Sequence, residues 1–143
     1  MYKRVLFAAD FDEVGILAAY KAKKIADENG ADLILVHVVE PIPAYAYPGF
    51  AGFAEVELSI REQAEKELDD LGTKLGVDAK HRFIEFGSTK NEILRVAEEH
   101  KIDLLVTGSH GKHGLSLLLG STANAILHGA NCDVLIVRPK LAH

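Results

Sequence analysis

The sequence predicts an α/β fold, a single doubly wound domain with a five-stranded parallel sheet in the order 3-2-1-4-5 and helices on both faces. Five short apolar runs lie along the chain, and such runs are typical of parallel strands that are buried on both faces. Segments with apolar residues at helical spacing separate the runs, so that strands alternate with helices throughout. Because no internal repeat or change of composition divides the chain, residues 1–143 are expected to form one domain.

The first strand and the first helix have clear boundaries in the sequence. The apolar run Val5–Ala9 predicts the strand, and Asp12 is a suitable N-cap for the helix. Apolar residues recur at helical spacing from Val14 to Ala26. The pair Asn29-Gly30 then predicts a left-handed C-cap, which ends the helix.

The next strand and helix are separated by a proline-rich connection. Leu33–Val39 predicts the second strand, and its one polar residue, His37, is expected to be hydrogen-bonded in the core. The connection EPIPAYAYPGFAGF, residues 40–53, contains three prolines, which exclude a regular helix or a central strand there. The pattern from Ala54 to Leu75 is helical and highly charged, and it ends near Gly76.

The second half of the chain continues the alternation. The predicted strands are His81–Phe86, Asp103–Thr107 and Asp133–Val137. The predicted helices are Glu92–His100, before the fourth strand, and Ser121–His128, before the fifth. The strand order places the fifth strand at an edge of the sheet.

Composition excludes several classes of protein. The net charge of −5 provides no basic face, so neither a nucleic acid nor a membrane surface is an expected partner. No apolar run approaches the roughly 20 residues of a membrane span. Cys132 is the one cysteine, so an intrachain disulfide cannot form, and a reducing, cytoplasmic location is expected.

The carboxyl ends of the first and fourth strands predict where a ligand binds. In an open parallel sheet, ligands lie beyond these ends, at the point where the strand order reverses. If the two strands are neighbours, Ala8, Ala9 and Asp10 face the same crevice as Thr107 and Gly108. Because a carboxylate repels phosphate, Asp10 is expected to contact a base or a ribose hydroxyl.

The stretch TGSHGKHGLSLLLGST, residues 107–122, has the chemistry of an anion site. Gly108, Gly111 and Gly120 let the backbone pass close to a ligand. The amides of Ser121 and Thr122 begin the last helix, whose free N–H groups and dipole favour phosphate. The stretch matches neither the P-loop nor the dinucleotide motif, and steric packing at a strand–helix turn is an alternative reason for its glycines.

Neither a dedicated metal site nor an active site is predicted. His110 and His113 have no carboxylate or cysteine at the usual ligand spacing, so Mg²⁺ that accompanies a phosphate ligand is the expected metal. The sequence has no Ser-His-Asp spacing, activated cysteine or positioned carboxylate pair, so the protein is not expected to be an enzyme. Slow hydrolysis of a phosphate ligand, or autophosphorylation at Ser109, Ser121 or Thr122, is the alternative.

Four segments together resemble the universal stress protein family, and the resemblance extends from Met1 to about Pro139. They are YKRVLFAADF, LILVHVVEP, GSTKNEILRVAEEHKIDLLVTGSHG and GSTANAILHGANCDVLIVRP. The resemblance implies a stress-response regulatory protein that binds ATP or another adenine nucleotide. It also implies a homodimer through the last strand, Asp133–Val137. A dimeric interaction protein of the same fold, with an unknown protein partner and no nucleotide, is the alternative.

The resemblance also implies a set of nucleotide-binding residues. The nucleotide-binding members have the pattern G-x2-G-x9-G-[ST], which Gly108, Gly111 and Gly120-Ser121 match except that eight residues instead of nine precede the last glycine. Phe11 and Asp12 replace the family's usual small residue and serine. The implied adenosine-side residues are Ala8, Ala9, Asp10 and Val38. The implied ribose-phosphate residues are Gly108, Gly111, Gly120, Ser121 and Thr122, with Thr107 at the end of the fourth strand.

Overall fold

A five-stranded sheet, in which every pair of neighbouring strands is parallel, forms the centre of the computed structural model, which describes residues 1–43, 50–109 and 120–138. The strands are β1 (Arg4–Ala8), β2 (Asp32–Val39), β3 (Arg82–Phe86), β4 (Leu104–Gly108) and β5 (Asp133–Val137). The helices are α1 (Glu13–Asn29), α2 (Phe50–Leu75), α3 (Thr89–Glu99) and α4 (Ser121–Gly129), and a 3₁₀ turn spans Ala79–His81. The strand order β3-β2-β1-β4-β5 confirms the prediction.

Helices cover both faces of this sheet, which explains why its central strands are mostly apolar. Val5 and Phe7 of β1 pack into a core with residues of α1 and α2, whereas Leu6 packs with residues of α3 and α4. All three side chains are fully buried. A strand that is buried on both faces does not alternate between polar and apolar residues. This explains the continuous apolar runs in the sequence.

Both predicted caps of α1 are present. The Asp12 carboxylate accepts a hydrogen bond of 2.7 Å from the Gly15 amide, which satisfies one free N–H group at the start of the helix. Gly30 follows the helix with a φ of 63°, a left-handed conformation that glycine adopts without steric cost. The two caps define where α1 begins and ends, and its first turn follows shortly after the end of β1.

Two helices begin earlier than predicted. Helix α2 starts at Phe50, so the interpretation that the whole proline-rich connection is non-helical is wrong for residues 50–53. All three prolines precede Phe50, and proline disturbs a helix only from within it. Helix α3 starts at Thr89 instead of Glu92, because its first turn is polar and gives no apolar periodicity.

The remaining boundaries differ by one residue or agree with the prediction. His81 belongs to the 3₁₀ turn, so β3 begins one residue later, and α4 extends to Gly129. Gly76, which has a φ of 68°, follows the end of α2 as predicted. None of the helices in the described ranges combines the length and the hydropathy that a bilayer crossing requires.

Candidate functional site

A cleft of about 340 Å³ opens at the carboxyl ends of β1, β2 and β4. This volume lies in the range of small-molecule sites, which is roughly 300–1,000 Å³. The ends of the strands and the residues after them contribute Ala8, Ala9, Asp10, Val36, His37, Val38, Glu40, Thr107 and Gly108. The N-terminal parts of the helices and the cap of α1 contribute Asp12, Val14, Gly15, Thr89, Ile93, Thr122 and Ala123.

Most of the predicted ligand residues line this cleft. They are Ala8, Ala9, Asp10, Val38, Thr107, Gly108 and Thr122. Gly120 and Ser121 are not part of the lining, although they directly precede Thr122 at the start of α4. Gly111 lies outside the described residues, as do His110 and His113.

The pairing of β1 with β4 brings the two predicted halves of the site together. Phe7 is in register with Val106, so the residues that follow these two positions leave the sheet side by side. A Cβ atom on Gly108 would lie 3.3 Å from Cγ1 of Val14, in the first turn of α1. A larger residue at this position would press against α1, so the steric alternative also applies to Gly108.

Three helix N-termini lie at the cleft, and they differ in how their amides are satisfied. The Asp12 side chain caps α1. At α3, Glu40 accepts hydrogen bonds from the hydroxyl of Thr89 at 2.8 Å and from its amide at 3.3 Å. At α4, the N-cap is Gly120, which carries no side chain, and no side-chain cap is formed within the described part of the chain. The first-turn amides of α4 are thus open to solvent or to a ligand, and no carboxylate caps them as at α1 and α3.

His37 joins β2 to the end of β1. Its Nδ1 atom lies 2.8 Å from the carbonyl oxygen of Ala9, and its ring packs against that of Phe11 at a centroid distance of 4.7 Å. The expectation of a hydrogen-bonded histidine is confirmed. The side chain is half-buried and contributes to the cleft, which the sequence interpretation did not anticipate.

The prediction missed several lining residues, of which Glu40 and Thr89 form the clearest pair. Glu40 directly follows β2, a neighbour of β1, so the same rule that selected Asp10 would have selected it. Thr89 gave no signal, because the predicted third helix began three residues later. Sequence reasoning therefore found the β1 and β4 side of the cleft and missed the α3 side.

Outside the cleft, we considered the Cys132 thiol and clusters of metal-ligating side chains. Burial, followed by the charges of Asp133 and Asp103, raises the pKa of the Cys132 thiol above its ordinary value, which keeps the sulfur protonated and weakly nucleophilic at neutral pH. In residues 1–43, 50–109 and 120–138, no group of three or more His, Cys, Asp or Glu side chains is arranged to hold a metal ion.

Comparison with known proteins gives consistent matches. Residues 1–138 match the model of the universal stress protein family. Universal stress protein A homolog 2 of Coxiella burnetii is 40% identical over 141 residues, which cover 97% of each protein. The solved structure of protein MJ0577 of Methanocaldococcus jannaschii has a TM-score of 0.82 and 27% identity, and the match covers 99% of both chains. A universal stress protein solved in complex with cAMP has a TM-score of 0.64 and 27% identity over 96% of this chain and 97% of that chain.

Proposed function

Because the chain belongs to the universal stress protein family, we propose that it is a cytoplasmic stress-response regulator that binds an adenine nucleotide in the cleft at the ends of β1 and β4. One observation carries the proposal. The N-terminus of α4, which has no side-chain cap among the described residues, opens into a cleft of about 340 Å³ at the switch point of the sheet. The similar protein in complex with cAMP supports a ligand of this class.

The three helix N-termini support one orientation of the nucleotide. Asp12 and Glu40 already place carboxylates at α1 and α3, so a phosphate there would meet negative charge. At α4, amides and the helix dipole favour an anion. The phosphate therefore lies against Thr122, and the nucleoside extends toward Asp10 and Val38.

Nucleotide binding is tested directly on the purified protein. Nucleotide released from denatured protein is identified by chromatography, and the refolded or nucleotide-free protein is titrated calorimetrically with ATP, ADP, AMP and cAMP. A dissociation constant below 1 mM for at least one of them is expected. An empty site and no heat of binding at millimolar concentrations of all four would contradict the proposal.

The position of the phosphate is tested by adding one negative charge to α4. In Thr122→Asp, a carboxylate in the first turn stabilises the helix by roughly 0.3–1 kcal/mol but repels phosphate. Nucleotide affinity should thus fall while the free energy of unfolding stays the same or rises. Asn124→Asp is the matched control, because Asn124 lies on the same helix and is exposed outside the cleft lining. Equal losses of affinity in both variants would exclude this position of the phosphate.

We propose further that the protein binds nucleotide without catalytic turnover. The protonated Cys132 thiol, which lies outside the cleft lining, and the buried Ser109, which is 5% exposed, support this. Incubation with γ-labelled ATP should leave the nucleotide intact and the protein unlabelled. Label on Ser121 or Thr122, or release of phosphate that Thr122→Asp abolishes, would instead assign a slow phosphotransfer activity to the cleft.

We propose secondly that the protein forms a homodimer through β5. The same dimer is expected if the protein is instead an interaction protein that binds no nucleotide. Strand β5 lies at an edge of the sheet, and its central residues Val134, Leu135 and Ile136 are half-buried in the single chain. An apolar edge strand tends to pair or aggregate unless it is covered. Ile136→Lys should shift the mass measured by light scattering to that of a monomer. Leu127→Lys, at an exposed position of α4, is the control.

A further inference from the structure

The end of β1 is held by β2 through two hydrogen bonds to one residue. The Ala9 amide donates to the Val36 carbonyl at 2.7 Å, and the Ala9 carbonyl lies 2.8 Å from Nδ1 of His37. A carbonyl oxygen can only accept, so the proton of this second bond must be on Nδ1. His37 is therefore a donor, through Nδ1, to the backbone that follows β1.

The same ring also contacts the residue on the other side of Asp10. The Phe11 and His37 ring centroids are 4.7 Å apart, and the two rings are inclined at 51°. Asp10 thus lies between two residues that one side chain holds in place. Gly15 also lies directly against this turn, because a Cβ atom there would overlap the Asp10 carbonyl group.

We propose that His37 is a positioning residue for the ligand cleft, which holds the Ala9–Phe11 backbone so that Asp10 meets the nucleoside in a fixed geometry. The inference rests on the proposed function and deepens it, because it names what prepares the nucleoside side of the site. Both residues line the cleft, and Asp10, which follows β1, is the residue expected to contact a base edge or a ribose hydroxyl. A fixed acceptor discriminates between ligands better than a mobile one, since no conformational freedom is lost on binding.

Two amide substitutions separate the hydrogen bond from the ring contact. In His37→Asn, the side-chain nitrogen is the same number of bonds from Cα as Nδ1, so donation to Ala9 is retained. In His37→Gln, the nitrogen is one bond further away. Both variants lose the contact with Phe11, so their difference reports the hydrogen bond. His37→Gln should weaken nucleotide binding about five- to tenfold, the equivalent of one hydrogen bond, and His37→Asn about twofold or less.

A double-mutant cycle identifies Asp10 as the group through which His37 acts. If His37 acts by positioning, His37→Gln should weaken binding much less in an Asp10→Ala background than in the wild type. A loss of the same factor in both backgrounds would show that His37 acts on the ligand by another route. Equal losses in His37→Asn and His37→Gln would also overturn the inference. Urea unfolding of each variant verifies that the titrated protein is folded.

A measurement without ligand separates this inference from the proposed function. Backbone ¹⁵N order parameters of residues 9–11 should fall in His37→Gln and stay near the wild-type value in His37→Asn. If no nucleotide binds to the wild type but the order parameters behave in this way, the proposed function is wrong and the positioning role stands. Unchanged order parameters in His37→Gln would overturn the positioning role, whether or not the wild type binds a nucleotide.

Discussion

Replacement of Gly15 by alanine should destabilise the protein, although alanine is the better helix former. Gly15 lies in the first turn of α1, and a Cβ atom there would overlap the carbonyl group of Asp10. The obstacle is backbone, so it cannot move away as a flexible side chain would. Overpacking of this kind costs typically 1–3 kcal/mol, and alanine regains about 1 kcal/mol of helix propensity. Because the overlap is with backbone, the upper part of this range applies, roughly 2–3 kcal/mol, and the expected net loss is about 1–2 kcal/mol in the free energy of unfolding.

Gly52→Ala is the matched control for this substitution. Gly52 is also near the start of a helix, but a Cβ atom there would have no atom of the described protein within 4 Å. Urea unfolding followed by circular dichroism at 222 nm should show Gly52→Ala as stable as the wild type or up to about 1 kcal/mol more stable. Gly15→Ala should also melt lower by about 3–8 °C. Gly15→Ala as stable as the wild type would refute the close packing of α1 against the end of β1.

Three further substitutions or treatments test contacts elsewhere in the fold. Asp12→Ala should lose about 1 kcal/mol of stability in urea unfolding because the Gly15 amide loses its cap, whereas Asp12→Asn keeps an acceptor and should lose much less. The hydroxyl of Tyr2 donates to Asp133, which raises the pKa of Tyr2 above 10, so this bond stabilises the fold at neutral pH and is lost as the pH rises through the raised value. The stability difference between wild type and Tyr2→Phe should therefore disappear in alkaline unfolding curves. Cys132 should react more slowly with a thiol reagent at pH 7 than in the urea-unfolded chain, because burial raises its pKa; equal rates would contradict that environment.

The fold was predictable because its strands are runs of apolar residues, which can be recognised in the sequence without any knowledge of the structure. Residues 33–36 of β2 are all apolar and all buried, so no decision on register or face was needed to recognise the strand. The start of α3 was not predictable in the same way. The polar first turn at Thr89 is stabilised by Glu40, which is 49 residues earlier in the sequence, and no local pattern records such a contact.

The site was predictable to the extent that it follows from strand order. Once β1 is known to be central, the ends of β1 and β4 must meet, and Asp10 and Gly108 come together without any detail of side chains. The role of His37 required coordinates. In the sequence it is a polar residue in an apolar strand, and only the distance from its ring to Ala9 distinguishes a buried polar residue from a link between two strands.

The charges around the cleft predict how nucleotide binding should depend on Mg²⁺. Among the described residues that line the cleft there is no lysine or arginine, whereas three carboxylates are present, those of Asp10, Asp12 and Glu40. Repulsion between unit charges several ångströms apart costs roughly 1 kcal/mol, or about fivefold in affinity, and the cost grows with the number of phosphates. Removal of Mg²⁺ with EDTA should therefore weaken ATP binding more than AMP binding.

Glu40→Gln isolates the contribution of one carboxylate to this dependence. The amide oxygen can still accept from Thr89, so the start of α3 is retained while one negative charge is removed. In calorimetric titrations, the difference between ATP with and without Mg²⁺ should shrink in Glu40→Gln and persist in Glu57→Gln, an exposed position on α2 outside the cleft lining. If ATP bound equally strongly with Mg²⁺ and with EDTA, the phosphates would not be repelled by these carboxylates. The triphosphate would then have to leave the cleft away from Glu40, and the orientation inferred from the three helix N-termini would be wrong.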